Sequence, residues 1–294
     1  MSKTATKQKK IYDGKEAGYV PVYSDKKLWN NVIDSYIARA KNKILGTSLK
    51  AVRNIKEIEK MGLKKGEKVL DAGCGGGILI NQLRAAYGIK GYGVDISSLA
   101  IKRAKDSGYK DIKYHNAGIE TLPFKAGTFD AIVSFDVLEH IENKEKALKE
   151  LLRVLKPGGR MLLYAISKKD IFTWHWFLRM VTFGRAGNDT EGGHFREFFA
   201  EPRDIKKTVL KYRAEECRVS YFHSFFTLLI DEVLFKMVNK RKKNTGRRPA
   251  AGISDSKKGF VYKILYYTHP VFELLDIPWK TAGLSNGFFV KIKK

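Results

Sequence analysis

The stretch Val69–Leu70–Asp71–Ala72–Gly73–Cys74–Gly75–Gly76–Gly77 restricts what this chain can fold into more than any other. A short apolar run followed at once by glycines at 73, 75 and 77 describes a strand that turns tightly into a helix and leaves backbone bare for a ligand. Turns of this kind serve many nucleotides, so the neighbouring residues decide between them. A dinucleotide fingerprint needs glycine at 78, where the chain has Ile78. Asp71 at the strand end would repel a pyrophosphate, but its charge suits the sulfonium and ammonium groups of S-adenosylmethionine. A second acid, Asp95, closes the next strand, Gly93–Val94–Asp95–Ile96, about 20 residues further on. A carboxylate there can accept both hydroxyls of a ribose. The plainer alternative for Asp95 is a helix N-cap, a role equally open to Ser97.

Strand and helix patterns alternate after this turn. Strands are expected at Gly91–Val94, Asp111–Tyr114, Phe129–Phe135 and Arg160–Ile166, the last after the turn Lys156–Pro157–Gly158–Gly159. Helices are expected at Leu99–Ser107 and Lys144–Leu155. Such βα alternation predicts an α/β, doubly wound and mostly parallel sheet, with its ligand at the carboxyl ends of the strands. Upstream, Lys-rich residues 1–15 read as a tail. Residues 16–67 read as a helical extension or lid, with one apolar stripe at Leu28, Val32, Ile33, Tyr36, Ile37 and Ala40 and another at Leu49, Val52, Ile55 and Ile58. The domain proper is expected over 68–294, with a basic, amphipathic insert at about 223–285. Phe288 to Ile292 reads as an edge strand.

Five ordered motifs now stand together: 69–77 with 93–96, Leu122–Pro123–Phe124, Phe129–Asp130, Asp136–Val137–Leu138–Glu139–His140 and Leu155–Lys156–Pro157–Gly158–Gly159. In this respect the chain resembles class I S-adenosylmethionine-dependent methyltransferases, of the group that modifies quinones and sterols. The resemblance spans roughly Val69 to Ser167 and, more loosely, Gly193 to Phe222. It implies a seven-stranded sheet whose last strand is antiparallel. The sixth and seventh strands of that fold usually sit close in sequence, but here about 60 residues separate Phe222 from Asn286, so a helical lobe is expected before the last strand. It also implies that Asp71 and the glycines Gly73, Gly75 and Gly77 hold the methionine part of the cofactor, that Asp95 holds the ribose, and that Ile96 packs on the adenine. Ser134 is a further candidate contact. The acid that the family usually places before Ile119–Glu120–Thr121–Leu122–Pro123–Phe124 is Gly118 here, so Asn116 or backbone atoms would serve the adenine amine.

Methyl transfer from an activated sulfonium needs chiefly an aligned nucleophile and a dry site. A base is required only where the acceptor must lose a proton. Asp136, Glu139 and His140 follow the fourth strand at i, i+3 and i+4, sharing a face if a helix starts there. Three readings stay open: a general base, with His140 first because its reference pKa is about 6.5; a divalent-metal site, since the pattern resembles metal-dependent O-methyltransferases of quinone biosynthesis; and simple bracing of the helix, with Asp136 lining the cofactor pocket. No metal is assigned. His194, in Gly193–His194–Phe195–Arg196–Glu197–Phe198, is a second candidate base, with Arg196 a candidate anion contact; a loop tied down by its arginine is the alternative.

Composition bears on the acceptor. Lys and Arg number 56 against 31 Asp and Glu, a net charge of +25 that favours phosphate backbones or acidic lipid headgroups. Apolar runs at Ile171–Phe183, Phe225–Val238 and Phe260–Trp279 carry many aromatics, and Lys240, Arg241, Lys242, Lys243, Arg247 and Arg248 follow the second. Together they suggest a surface lying in a membrane interface and a small or lipid-linked amphipathic acceptor; the plainer reading packs these segments on the sheet. Nucleic-acid methylation is the rival. It lacks the Asn/Asp-Pro-Pro-Tyr/Phe motif, since the chain reads Ser134–Phe135–Asp136. No apolar leader or spanning run is expected, so the default location is cytoplasmic, with peripheral contact at a membrane. Cys74 and Cys217 sit in no disulfide or zinc spacing.

Overall fold

The computed structural model describes residues 6, 9, 10, 12, 13, 33, 34, 37, 48–185, 198–239 and 255–294. The acceptor-loop residues Gly193 to Glu197, with His194 and Arg196 among them, the basic run Lys240 to Arg248, and Leu28, Val32, Tyr36 and Ala40 of the first N-terminal stripe lie outside the described residues.

Seven strands form one sheet: β1 (Lys68–Ala72), β2 (Lys90–Asp95), β3 (Lys113–Asn116), β4 (Phe129–Phe135), β5 (Leu155–Ile166), β6 (Glu216–Phe222) and β7 (Gly287–Lys293), in spatial order β3-β2-β1-β4-β5-β7-β6. The first five pair in parallel and β7 runs antiparallel to both of its neighbours. The sequence reading thus holds for the sheet class, with β3 displaced by two residues. The expectation of an edge strand at Phe288–Ile292 is overturned: β7 lies between β5 and β6, and β6 is the edge. Phe288, Phe289 and Val290 are all fully buried. An uninterrupted apolar run is the mark of a strand covered on both faces, not of one half-open to water.

Helices cover both faces. On one side lie α1 (Leu49–Glu59), α2 (Ile78–Tyr87) and α3 (Ser98–Asp106), whose apolar residues join Val69, Val133, Leu162 and Phe289 in one core. On the other, α4 (Lys144–Val154) and α6 (Pro202–Lys211) pack Leu148, Leu151, Ile205 and Val209 against Leu70, Ile132, Leu163 and Phe288. Phe288 and Phe289 point to opposite cores because successive strand residues alternate faces. In α1 the stripe Leu49, Val52, Ile55 and Ile58 is wholly buried, each side chain contributing about 1.5–3 kcal/mol. Ser48 starts this helix by accepting from the Ala51 amide at 3.0 Å.

A lobe of α5 (Trp174–Val181), α7 (Phe226–Asn239), α8 (Asp255–Leu275) and α9 (Ile277–Thr281) sits beyond the carboxyl end of β5 and around β7. Asp276, fully buried, closes it by accepting from the Phe226 amide at 2.8 Å and the Thr227 hydroxyl at 2.5 Å. The lobe grips α1 through ions. Arg53 donates to Glu273 of α8 at 2.6 Å and to Glu57 at 3.0 Å, and buried Glu57 also pairs with Lys60 and with Lys291 of β7. Burial alone would raise the Glu57 pKa, but Lys291, Arg53 and Lys60 hold it below its ordinary 4.5.

Candidate active site

The sheet's strand order reverses between β1 and β4, which opens a crevice at their carboxyl ends. Asp71 stands there, in register with Gly93 and Val133 of the flanking strands and 2% exposed. Past it the chain turns on Gly73 and Gly77, both in the left-handed region at φ +84° and +85°. A Cβ at Gly73 would collide with Val137, and one at Gly77 with the Tyr114 ring, so neither place admits a side chain. The turn is pinned by the Gly73 and Cys74 amides, which donate to Val94 O at 2.8 and 2.9 Å.

Asp95 completes the cradle. Its carboxylate accepts from the Gly75 amide at 2.8 Å and from the Ser97 amide at 2.8 Å. The N-cap of α3 is Ser97, whose hydroxyl accepts from Ala100 N at 3.1 Å. Asp95 is therefore not consumed by capping; it spans the glycine turn and the start of α3. Burial raises its pKa, and it does the same to Asp71 with the added repulsion of Asp95, pushing Asp71 up to about 8. Asp71 Oδ2 is buried with no hydrogen-bond partner. An orphaned buried carboxyl oxygen beside a bare glycine turn fits a cationic ligand: the cation would supply the missing partner and return the acid to its charged form.

Ile96, Asn116 and Gly118 line a cleft of about 890 Å³ next to this cradle. The Asn116 amide donates to the Asp95 and Ile96 carbonyls, both at 2.9 Å, so it fixes the β2–β3 edge and offers a ligand chiefly its carbonyl oxygen. Ser134 is buried and donates to Ala72 O at 2.7 Å; it ties β4 to β1 and retains only its acceptor capacity.

Asp136, Glu139 and His140 do not share a helical face. Leu138–His140 is a single 3₁₀ turn, and Asp136 precedes it in left-handed backbone at φ 55°. Their surroundings differ accordingly. Glu139 is fully buried, neither oxygen has a hydrogen-bond partner, and burial with Asp136 nearby pushes its pKa to about 8. Asp136 accepts from Lys50 Nζ of α1 at 2.7 Å through both oxygens. His140 meets Tyr12, whose hydroxyl lies 3.1 Å from Nε2. Among the described residues no three His, Cys, Asp or Glu side chains are grouped to hold a metal ion.

Several residues of this region escaped the sequence reading. Tyr12 and Asp13, in a stretch read only as a tail, bridge the crevice's two rims. Asp13 accepts from the Ser97 hydroxyl at 2.7 Å and the Leu99 amide at 3.1 Å, while Tyr12 reaches His140. Lys50 also lies over the Tyr164 ring at 4.3 Å. Asp231 of α7 accepts from the Leu49 and Lys50 amides at 2.5 and 2.9 Å and stands 2.8 Å from His223 Nε2. Glu232 beside it accepts from Trp174 Nε1 at 3.0 Å and stands 2.6 Å from His175. Two adjacent acids interrupting the apolar run Phe225–Val238 were the available signal: both face inward, Asp231 to the start of α1 and Glu232 to Trp174 and His175.

Residues 70–163 match the family described as "Methyltransferase domain". Among curated proteins, the chain is similar to the ubiquinone/menaquinone biosynthesis C-methyltransferase of Idiomarina loihiensis, 39% identical over 118 residues, which is 38% of this chain and 47% of that protein. It is likewise similar to the ubiquinone biosynthesis O-methyltransferase of Coxiella burnetii, 36% identical over 117 residues, covering 39% of this chain and 50% of the relative. The match thus spans about half the length of these relatives. Among solved structures, phosphoethanolamine N-methyltransferase 2 of Haemonchus contortus, in complex with S-adenosyl-L-methionine, superposes with a TM-score of 0.55 at 20% identity over 90% of this chain and 57% of that one. That likeness concerns the fold. The resemblance read from the five motifs is upheld.

Proposed function

We propose that this chain, which carries a methyltransferase domain at residues 70–163, is an S-adenosylmethionine-dependent methyltransferase acting on a small or lipid-linked amphipathic acceptor at a membrane surface. The observation that carries the reading is the buried, unpartnered Asp71 carboxyl oxygen beside the glycine turn, with Asp95 poised at the end of β2. When bound, S-adenosylmethionine supplies a methyl group already activated on a positively charged sulfur. Asp71 and the turn at Gly73, Gly75 and Gly77 would hold its methionine part, Asp95 its ribose, and Ile96 with Asn116 its adenine side.

Around the acceptor, the chain's own groups do three things. Lys50 neutralises Asp136 and fixes its direction. His140, with Tyr12 at 3.1 Å from Nε2, can take a proton from an acceptor hydroxyl or amine that loses one. Glu139, kept neutral by burial, leaves the site with one carboxylate fewer to repel an electron-rich nucleophile. The net charge of +25 and the apolar lobe support an amphipathic acceptor. No helix among the described residues is long and apolar enough to cross a membrane. The relatives named above act, by their names, in quinone biosynthesis.

Calorimetric titration of the full chain with S-adenosylmethionine and S-adenosylhomocysteine tests the donor. Incubation with methyl-labelled donor and fractionated extract tests the acceptor. Label entering the lipid fraction supports the proposal, label entering only RNA or protein overturns the acceptor class, and absence of donor binding overturns the whole.

A further inference from the structure

The lobe beyond β5 has its polarity turned inside out. From residue 264 onward the solvent-facing side of α8 is Ile264, Tyr267, Val271, Leu274 and Leu275, continued by Ile277 at the start of α9. This spacing is the stripe by which a helix normally faces a core, yet Tyr267 is 77% and Leu274 62% exposed. The ionisable groups of the same stretch point the other way. Glu273 is paired with Arg53 and Lys280, Asp276 caps α7, and His269 is buried.

The neighbouring α5 repeats the inversion. Trp174 and His175 turn inward to Glu232, and Arg179 pairs with buried Asp170 at 2.5 Å. Outward go Ile171, Phe172, Met180, Val181 and Phe183, the last 95% exposed. Phe172 and Phe183 both occupy left-handed backbone, at φ 58° and 50°, which bulky side chains seldom adopt. The two helical surfaces adjoin, because Trp279 Nε1 of α9 donates to the Phe172 carbonyl at 2.7 Å. Of the large exposed apolar side chains among the described residues, Leu210 is the one outside this lobe.

We propose that the apolar face formed by α5, α8 and α9 lies on an anionic lipid bilayer. Charge selects this occupant. The face carries no exposed acid between Ile264 and Thr281, exposed Lys168 and Lys169 stand just before Ile171, and exposed Arg185 stands just after Phe183. A second copy of the chain would bring another +25 to the same place, which opposes self-contact, whereas acidic headgroups attract it. Apolar side chains entering the acyl boundary beneath basic ones is the arrangement of interfacial helices. Of the three apolar runs, the assignment leaves out α7, whose Asp231 and Glu232 are engaged with α1 and α5. It deepens the amphipathic-acceptor reading and rests on that reading only for its purpose.

Flotation of the full chain with phosphatidylcholine vesicles, with and without phosphatidylglycerol, tests this without donor or acceptor present. Failure of docking therefore leaves donor binding standing, and the reverse. Wild type is expected to float with the anionic vesicles and to be released by salt. The variant Phe172→Ser/Leu274→Ser/Leu275→Ser is expected to lose at least about ten-fold in partitioning, with its thermal melt unchanged because all three side chains are exposed. Leu210→Ser, on the opposite side of the sheet, is expected to bind as wild type does. Three results would overturn the proposal: no flotation of wild type, equal flotation of the triple variant, or a vesicle-free dimer that the triple variant disperses.

Discussion

Replacing Asp71 by asparagine should make the ligand-free protein more stable and the site useless. Burial and the neighbouring Asp95 push the Asp71 pKa from 3.8 to about 8. Between 3.8 and pH 7 lie about three pH units, each worth about 1.4 kcal/mol, so folding at neutral pH must protonate this acid at a cost of about 4 kcal/mol. The sign follows from the direction of the shift. A folded-state pKa raised above the unfolded one leaves stability intact below the unfolded value and erodes it as pH rises towards the folded one. Asp71→Asn abolishes that erosion while keeping an oxygen for the Ile80 amide. Its gain should be about 4 kcal/mol at pH 7, roughly 8 °C or more in melting temperature, and should shrink to near zero by pH 4. Urea melts of both chains at the two pH values measure it. The same change should weaken S-adenosylmethionine by about 10–100-fold, the range for a hydrogen bond to a charged group. Wild-type binding at pH 7 should release close to one proton, visible as a buffer-dependent enthalpy that the variant lacks. A gain that persists at pH 4, or affinity left unchanged, would refute the idea that burial holds a carboxyl ready for a cation.

Three further outcomes are expected. Lys50→Met removes the cation bound to both Asp136 oxygens; turnover should fall by about ten-fold or more while donor affinity in calorimetry stays unchanged. Glu57→Gln leaves Arg53, Lys60 and Lys291 without their buried counter-ion and should cost about 3–5 kcal/mol in urea melts at pH 7. Because the Glu57 pKa is depressed, its contribution is present above the ordinary carboxylate range, and the difference should narrow as pH falls through the folded value. Gly73→Ala combines a φ of +84° with a collision at Val137; it should lower the thermal melt and lose donor binding together, by about 1–3 kcal/mol in stability at least.

The parts of the molecule legible in the sequence are those where one local pattern admits one conformation. The strand–glycine turn–helix unit at 69–77, the apolar strand Phe129–Phe135 and the α1 stripe belong to this class and took the expected form. The strand expected at Arg160–Ile166 begins earlier, at Leu155, with the Lys156–Gly159 segment inside it and an irregular register to β4. What stayed hidden depends on partners distant in sequence. The run Phe288–Val290 was read as an edge because nothing local says that β6 pairs outside it. The 3₁₀ turn at Leu138–His140 comes after left-handed backbone at Asp136, whose carboxylate meets a lysine on another helix. Tyr12, Lys50 and Asp231 make their contacts across 86 to 181 residues of chain, a separation no motif reports. The lobe misled in a subtler way: the apolar residues of α7 and α8 were visible, but which side they face depends on the acids Asp231, Glu273 and Asp276 finding partners inside.

Asp231 merits a last consequence. Its two carboxyl oxygens hold the first amides of α1 and its outer edge meets His223, so one side chain fastens the lobe to the helix that carries Lys50. Any tilt of α7 would slacken the first turn of α1 and swing the ammonium away from Asp136. On the proposed bilayer contact, a load on the lobe would reach the Lys50–Asp136 pair through this link, as a latch couples a door to its frame.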